Sequence, residues 1–369
     1  MRKSKTLKVL GLFCLVLVLL VSIPLMSACA KETPAPTPSP APTPKPTPAP
    51  MPETVADFYK NNRATLIVNA SAGGGSDYAS RLVASYWSDV TDGAMVVKNK
   101  GEGGGMAAMH YMQTAKPEGL EIGVCDLISI IGNVIFEDPA VEYDLKSFNW
   151  IGSVSQDPLV FALSSKLPYN STEGLKDKKD IKFGVRFPRQ PHAIGEALIA
   201  QLYDLDAEIV SGFKGGSEIG LALGRGELDG FIWNGATVAT FIDRGYCKQP
   251  FFTFDLERTG QFPDTPTITE VVQLTPEQES LVKVLVYTKS QKGFFLAPGT
   301  PQDKVDFVRQ AFDQVMAIKA FEKQVKMRWA VGALPMSGQE LTTHINEALN
   351  IPKTDIAKGM ELVEQYSAR

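Results

Sequence analysis

Three observations predict an α/β fold built from two domains. Short apolar runs alternate with amphipathic stretches of helical period along the body of the chain. The first two of those runs are each followed by a glycine-rich loop and then a helical stretch. The body, from about residue 53 to residue 369, is long enough to bury the cores of two ordinary domains.

Residues 65–69 read as a strand, followed by a glycine loop and a helix over 77–88. A strand at 94–98, a second glycine loop and a helix at 106–114 repeat that unit. Strands at 120–124 and 148–154 continue the pattern, and 159–164 crosses onward. A second block begins near Pro168, with strands at 181–185 and 209–212 and helices at 194–203 and 218–225. Residues 228–233 and 251–254 are later strands, and 293–296 is a return strand. Helices over 301–318, 319–325 and 338–349 close the chain, and there is no short internal repeat.

Ahead of the body lie two segments that cannot contribute to a core. Arg2, Lys3, Lys5 and Lys8 precede an almost unbroken apolar stretch over 9–26, and small residues, Ser27 and Ala28, stand before Cys29. A charged region, an apolar region and small residues before a cysteine make a secretory signal. Leu25-Met26-Ser27-Ala28-Cys29 resembles a lipobox, which implies cleavage before Cys29 and acylation of its thiol. An uncleaved transmembrane anchor is the alternative; in both cases the body lies outside the cytoplasm, on the side away from the basic residues. Proline then occupies every even position from Pro34 to Pro52. Such a tract favours extended polyproline II, and its 19 residues reach about 60 Å. Residues 29–52 are therefore expected to tether the body to a membrane.

The full chain holds 37 basic and 41 acidic residues. Residues 1–28 carry four basic and no acidic groups, so the remainder has 33 against 41, a net charge of about −8. With no basic run or aromatic–basic interleaving, nucleic acid is not an expected partner. Beyond Cys14 and Cys29 only Cys125 and Cys247 remain, too far apart in sequence to define a disulfide framework. His110, His192 and His344 lack metal-ligand spacing, and no cofactor is expected.

The most informative stretch in the body is Ala70-Ser71-Ala72-Gly73-Gly74-Gly75-Ser76-Asp77, between a strand and a helix. Amides exposed at a helix N-terminus form an anion seat, reinforced by the helix dipole. The Gly-Lys-Ser/Thr ending of a P-loop is absent. A tight turn capped by Ser76 or Asp77 is the plainer reading, and the two can coexist. Asn99-Lys100-Gly101-Glu102-Gly103-Gly104-Gly105 takes the same place after the next strand. In a parallel sheet both loops emerge at the carboxyl ends of the strands, where open α/β sheets bind ligands.

These loops open an ordered series of motifs. Val96-Val97-Lys98-Asn99-Lys100 precedes Gly103-Gly104-Gly105; Ala115-Lys116-Pro117-Glu118-Gly119 and Tyr143-Asp144-Leu145 follow. Further on come Phe213-Lys214-Gly215-Gly216-Ser217, Gly226-Glu227-Leu228-Asp229, Asp264-Thr265-Pro266-Thr267, and Gly293-Phe294-Phe295-Leu296-Ala297-Pro298-Gly299-Thr300-Pro301. From about residue 65 to residue 349 the chain resembles the solute receptors of tripartite tricarboxylate transporters, the Bug family among them. The resemblance implies a type II periplasmic-binding-protein fold, two lobes hinged around a ligand cleft. It places lobe 1 at 53–162 and 288–369 and lobe 2 at 163–287. Together with the lipid expected on Cys29, it leads to a monomer anchored at the outer face of the cell membrane, or periplasmic. That receptor captures a small organic carboxylate for a permease of one large and one small membrane subunit, without chemistry on the ligand.

The expected ligand contacts follow. Gly74, Gly75 and Ser76 offer amides from lobe 1, and Asp77 caps its helix or accepts a donor from the ligand. In lobe 2 the family's small, hydroxyl-rich loop is replaced by Gly184-Val185-Arg186-Phe187-Pro188-Arg189-Gln190-Pro191-His192. Arg186 and Arg189 can hold a carboxylate by parallel hydrogen bonds, Phe187 can stack on a flat ligand, and His192 can face the cleft. Lys214 and Ser217 can donate to a bound anion. Each has a plainer reading as a solvated or packed side chain. Two arginines favour a dianionic or aromatic acid. The alternatives in function are a receptor reporting to a sensor, and a hydrolase, against which the absence of Gly-x-Ser-x-Gly argues.

Overall fold

The computed structural model describes residues 53–258, 260, 262–329 and 334–367. The signal segment, Cys29 and the proline tract lie outside the described residues.

The chain begins with α1 (Glu53–Asn61), β1 (Ala64–Val68), α2 (Gly75–Thr91), β2 (Met95–Asn99), α3 (Met106–Gln113), β3 (Glu121–Asp126) and α4 (Leu127–Ile135). β1 pairs in parallel with β2 on one side and β3 on the other. After β4 (Asn149–Asp157) the chain passes through Pro158 directly into β5 (Leu159–Leu163), the first strand of a second sheet. That sheet is built from β6 (Ile181–Gly184), α5 (Pro191–Leu202), β7 (Ala207–Val210), α6 (Gly216–Arg225), β8 (Gly230–Asn234), α7 (Gly235–Asp243) and β9 (Phe252–Phe254). Two helices follow, α8 (Ile268–Val271) and α9 (Pro276–Tyr287).

β10 (Ser290–Leu296) then returns to the first sheet and lies antiparallel between β3 and β4. It is followed by α10 (Gln302–Met316), α11 (Lys319–Trp329), β11 (Met336–Ser337), α12 (Gly338–Leu349) and α13 (Lys353–Tyr366). The sheet orders are β11-β4-β10-β3-β1-β2 and β7-β6-β8-β5-β9.

Helices cover both faces of each sheet, which is why the strands read as apolar runs rather than clean alternations. All five residues of β5 are buried. Leu159, Phe161 and Leu163 join a core with α5 and α9, while Val160 and Ala162 face α6 and α7. In the first sheet, α2 and α10 pack on one face and α3, α4 and α12 on the other.

Two differences from the sequence reading bear on the site. α4 was not expected; it contributes Ile130 and Ile131 to the first sheet's core and Ile128 and Phe136 to the second's, so it joins the lobes. The C-terminal segment, expected to stay with lobe 1, does so only as far as α12. α13 packs on α5 and α9, putting its apolar face, Ile356, Leu362 and Val363, into the second core. Cys125 and Cys247 are buried and unbridged.

Candidate functional site

A cavity of about 430 Å³ lies between the two sheets. Its walls come from the carboxyl ends of β3, β6 and β8, from the loop after β2, from the Ile128, Ser129, Gly132 and Asn133 face of α4, and from Asp138 beyond that helix. This is where the topology of open α/β sheets directs ligands.

On the first-lobe side the second glycine loop contributes Gly103 and Gly104, both left-handed (φ 59° and 68°). The loop is locked onto its predecessor. Asn99 donates its side-chain amide to the Ala70 carbonyl at 2.9 Å, and a Cβ at Gly101 would lie 2.7 Å from the Ser71 backbone nitrogen. At Gly105 (φ 96°) a Cβ would come within 2.4 Å of the Asn69 carbonyl oxygen. Glycine is required there both by conformation and by space. Asp126, at the N-terminus of α4, completes this wall. Its carboxylate pairs with the Lys292 ammonium at 2.9 Å, and its amide donates to Asn69 Oδ1 at 3.2 Å. The Lys292 stem packs on the first turn of α2, with its Cε 3.4 Å from where a Gly75 Cβ would stand.

The second-lobe wall is the loop between β6 and α5. Arg186, Phe187, Arg189 and His192 all line the cavity. Arg186 is half-buried, its Nε is buried with no hydrogen-bond partner, and its guanidinium carbon sits 4.9 Å from the Phe187 ring centroid. Arg189 is committed: it donates to the Phe136 carbonyl at 2.5 Å, closing the C-terminal end of α4. Charge near a helix C-terminus is favourable there. His192, in the first turn of α5, stacks on Trp233 with centroids 4.6 Å apart and planes 25° apart. Burial pulls its pKa down to about 4; the Arg186 charge pushes the same way and Asp126 opposes it. His192 is therefore a neutral ring at neutral pH. Asn234, beside Trp233, caps α7 by accepting from the Thr237 amide at 3.3 Å.

Six of the residues expected from sequence are not brought to this cavity. Gly74 is the N-cap of α2 and Gly75 and Ser76 form its first turn, but none lines the cavity. The cap is Gly74 rather than Ser76 or Asp77. The Asp77 carboxylate accepts from the Gly73 amide at 2.8 Å and from Arg81 Nε at 3.0 Å, so its donors belong to the protein. Burial raises its pKa, but the bonds from Arg81, Gly73 and Asn99 and the Arg81 charge outweigh it and hold the carboxyl below its usual value. Lys214 and Ser217 are exposed, and the Lys214 amide donates to Glu218 at 2.6 Å. Sequence reading missed Asp126, Lys292 and Trp233. Asp126 and Trp233 carry one signal in common, a polar or aromatic residue at the carboxyl end of an apolar run.

Two α/β lobes joined by extended crossings, with a polar and aromatic cavity at the strand ends and glycine loops beside it, define a two-lobed solute-binding protein. Residues 80–360 match the model of the tripartite tricarboxylate transporter family receptor. The chain belongs to that family. A UPF0065 protein from the TAR-I ttuE–ttuC′ intergenic region of Agrobacterium vitis is 28% identical over 108 residues, which is 28% of this chain and 30% of that protein's length. MatC from Rhodopseudomonas palustris, solved with malate, superposes with a TM-score of 0.58 at 17% identity, covering 82% of this chain and 99% of its own. A second R. palustris protein, solved with adipate, gives 0.62 at 18% identity, covering 81% and 97%. At those identities the two structures establish the fold alone.

Proposed function

We propose that this protein captures a small organic carboxylate in the cavity between its lobes and delivers it to a tripartite tricarboxylate-type secondary transporter. The observation that carries this is Arg186: a half-buried arginine at the wall of a cavity that can hold a small ligand. A ligand carboxylate beside the guanidinium gains a charge-assisted bond of about 1.5–3 kcal/mol. Micromolar capture corresponds to about −8 kcal/mol. A few such bonds, less the cost of ordering the cleft, reach that figure. Malate and adipate in the two fold relatives are both carboxylates, which supports the ligand class.

The protein's place follows from the same reading. A lipid on Cys29 holds it outside the membrane, and the proline tether lets the lobes reach the large and small membrane subunits. Capture and release, with no bond made or broken in the ligand, is the whole of its role. A thermal-shift screen against di- and tricarboxylates, aromatic acids and amino acids tests this, with the ligand recovered afterwards by chromatography. A carboxylate that raises the melting temperature and returns intact is the expected result. No shift from any carboxylate, or conversion of the ligand, overturns it.

A further inference from the structure

We infer that the cavity selects a planar monocarboxylate bearing a hydrogen-bond donor at the end remote from its carboxylate, and discriminates against dicarboxylates. This rests on the carboxylate-receptor reading of the same cavity and specifies its ligand class.

The two ends of the cavity differ in sign. On the second-lobe side the Arg186 Nε lacks a partner, whereas Arg189 is held by the Phe136 carbonyl. Arg189 thus spends one of its donors on the protein at the lobe junction, and Arg186 is the arginine held within the cavity wall. On the first-lobe side the cavity meets a carboxylate of the protein, Asp126, fixed by Lys292 and by its own amide bond to Asn69. The lining holds two carboxylates, Asp126 and Asp138, and Lys292 is already paired with the first, so a second ligand carboxylate gains no cation of its own there, while a hydroxyl or amine would find an acceptor. The amide seat that could have received that carboxylate is elsewhere: Gly74, Gly75 and Ser76 do not line the cavity, and the Lys292 stem packs against their turn.

The side walls are flat. Trp233 and His192 form one stacked pair, and the Phe187 ring, 55% exposed, stands at the opposite end of the same loop from His192. Aromatic faces reward a planar ligand body by offset stacking and area burial at little entropic cost. His192 is uncharged, so it supplies a face rather than a second cation. A flexible diacid such as adipate uses neither these faces nor the Asp126 acceptor.

Titration calorimetry on the full chain with six probes tests this: 4-hydroxybenzoate, 4-aminobenzoate, benzoate, terephthalate, adipate and malate. The expected order has the two donor-bearing ring acids tightest, benzoate weaker, and the three diacids at least tenfold weaker than 4-hydroxybenzoate. Phe187→Ala, at an exposed position, is expected to weaken the ring acids about tenfold and the diacids by less. Asp126→Asn is expected to narrow the gap between terephthalate and 4-hydroxybenzoate. Diacids binding more tightly than the ring monocarboxylates overturns the inference and leaves the carboxylate receptor standing. Equal affinity for benzoate and 4-hydroxybenzoate overturns the donor requirement. If no carboxylate binds, both readings fall.

Discussion

Arg186 and Arg189 stand three positions apart in one loop, yet their surroundings give them opposite duties. Arg189 has its carbonyl partner across the lobe junction, and Arg186 keeps a buried donor without one. Arg186→Ala is therefore expected to weaken carboxylate binding about 10–100-fold, the equivalent of one or two charge-assisted bonds. Arg189→Ala should instead lower the unfolding midpoint, because it strips a cap from α4. Calorimetric titration beside a urea melt separates the two. The histidines carry a pH signature. Burial brings both His192 and His344 down to about 4, with the Lys289 charge adding to the effect at His344. Between pH 6.5 and about 4 the unfolded chain takes up protons that the folded chain refuses. Stability is thus fully present above pH 6.5 and falls as the pH drops through that window, by on the order of 3 kcal/mol per histidine. Urea midpoints at pH 7 and pH 4.5 measure the fall. His344→Gln, which keeps a partner for Gln291, should recover part of it.

Of the cavity's residues, Arg186, Phe187, Arg189 and His192 were legible in the sequence because they occupy one continuous loop that departs from the family pattern. Asp126, and Lys292 that pairs with it, were not. Each looks like a charge at the end of an apolar strand, and only the antiparallel pairing of β10 with β3 sets Lys292 opposite Asp126. The glycine loop of α2 reads from sequence as an anion seat; in the structure Asp77 folds back on the Gly73 amide, and Gly74, Gly75 and Ser76 lie outside the cavity lining.

Among the elements, α4 and α5 carry the junction. Phe136 ends α4 inside the core of the second lobe and is 4% exposed. Phe136→Ala should cost about 3–5 kcal/mol and loosen the lobes, seen as a lower midpoint. α5 holds Glu196 fully buried, with Oε1 accepting from the Ile232 amide at 3.2 Å and Oε2 unpartnered. Burial raises its pKa well above the ordinary value, outweighing the amide bond, so folding disfavours the ionised form. Its contribution is intact below the unfolded carboxyl's pKa and is lost as pH rises toward the folded value. Glu196→Gln, neutral at every pH, should match the wild type at pH 4 and exceed it at pH 8 in denaturant midpoints. Equal midpoints at both pH values would show that the carboxyl is ionised in place. α4 itself escaped sequence reading because it follows β3 with no turn signal between them; its polar face, Ser129, Gly132 and Asn133 at helical spacing, lines the cavity.

At the scale of the molecule, the alternation of strands and helices made the two-sheet plan legible, since periodicity reports burial. The route of the C-terminus was not legible, because an amphipathic helix such as α13 states that it has an apolar face without stating which sheet receives it. Deleting residues 353–369 should uncover the α5–α9 surface and raise binding of a hydrophobic dye. An unchanged, cooperative melt would contradict the packing of α13 on the second lobe. The two lobes also meet through α4 and the Arg189 bond. The most direct measurement is titration of a carboxylate panel into wild type and Arg186→Ala at fixed pH and salt. One-site binding of at least one carboxylate, weakened tenfold or more by the substitution at an unchanged melting temperature, is the result expected. Silence across the panel, or equal affinity in both proteins, would contradict capture of a carboxylate in this cleft.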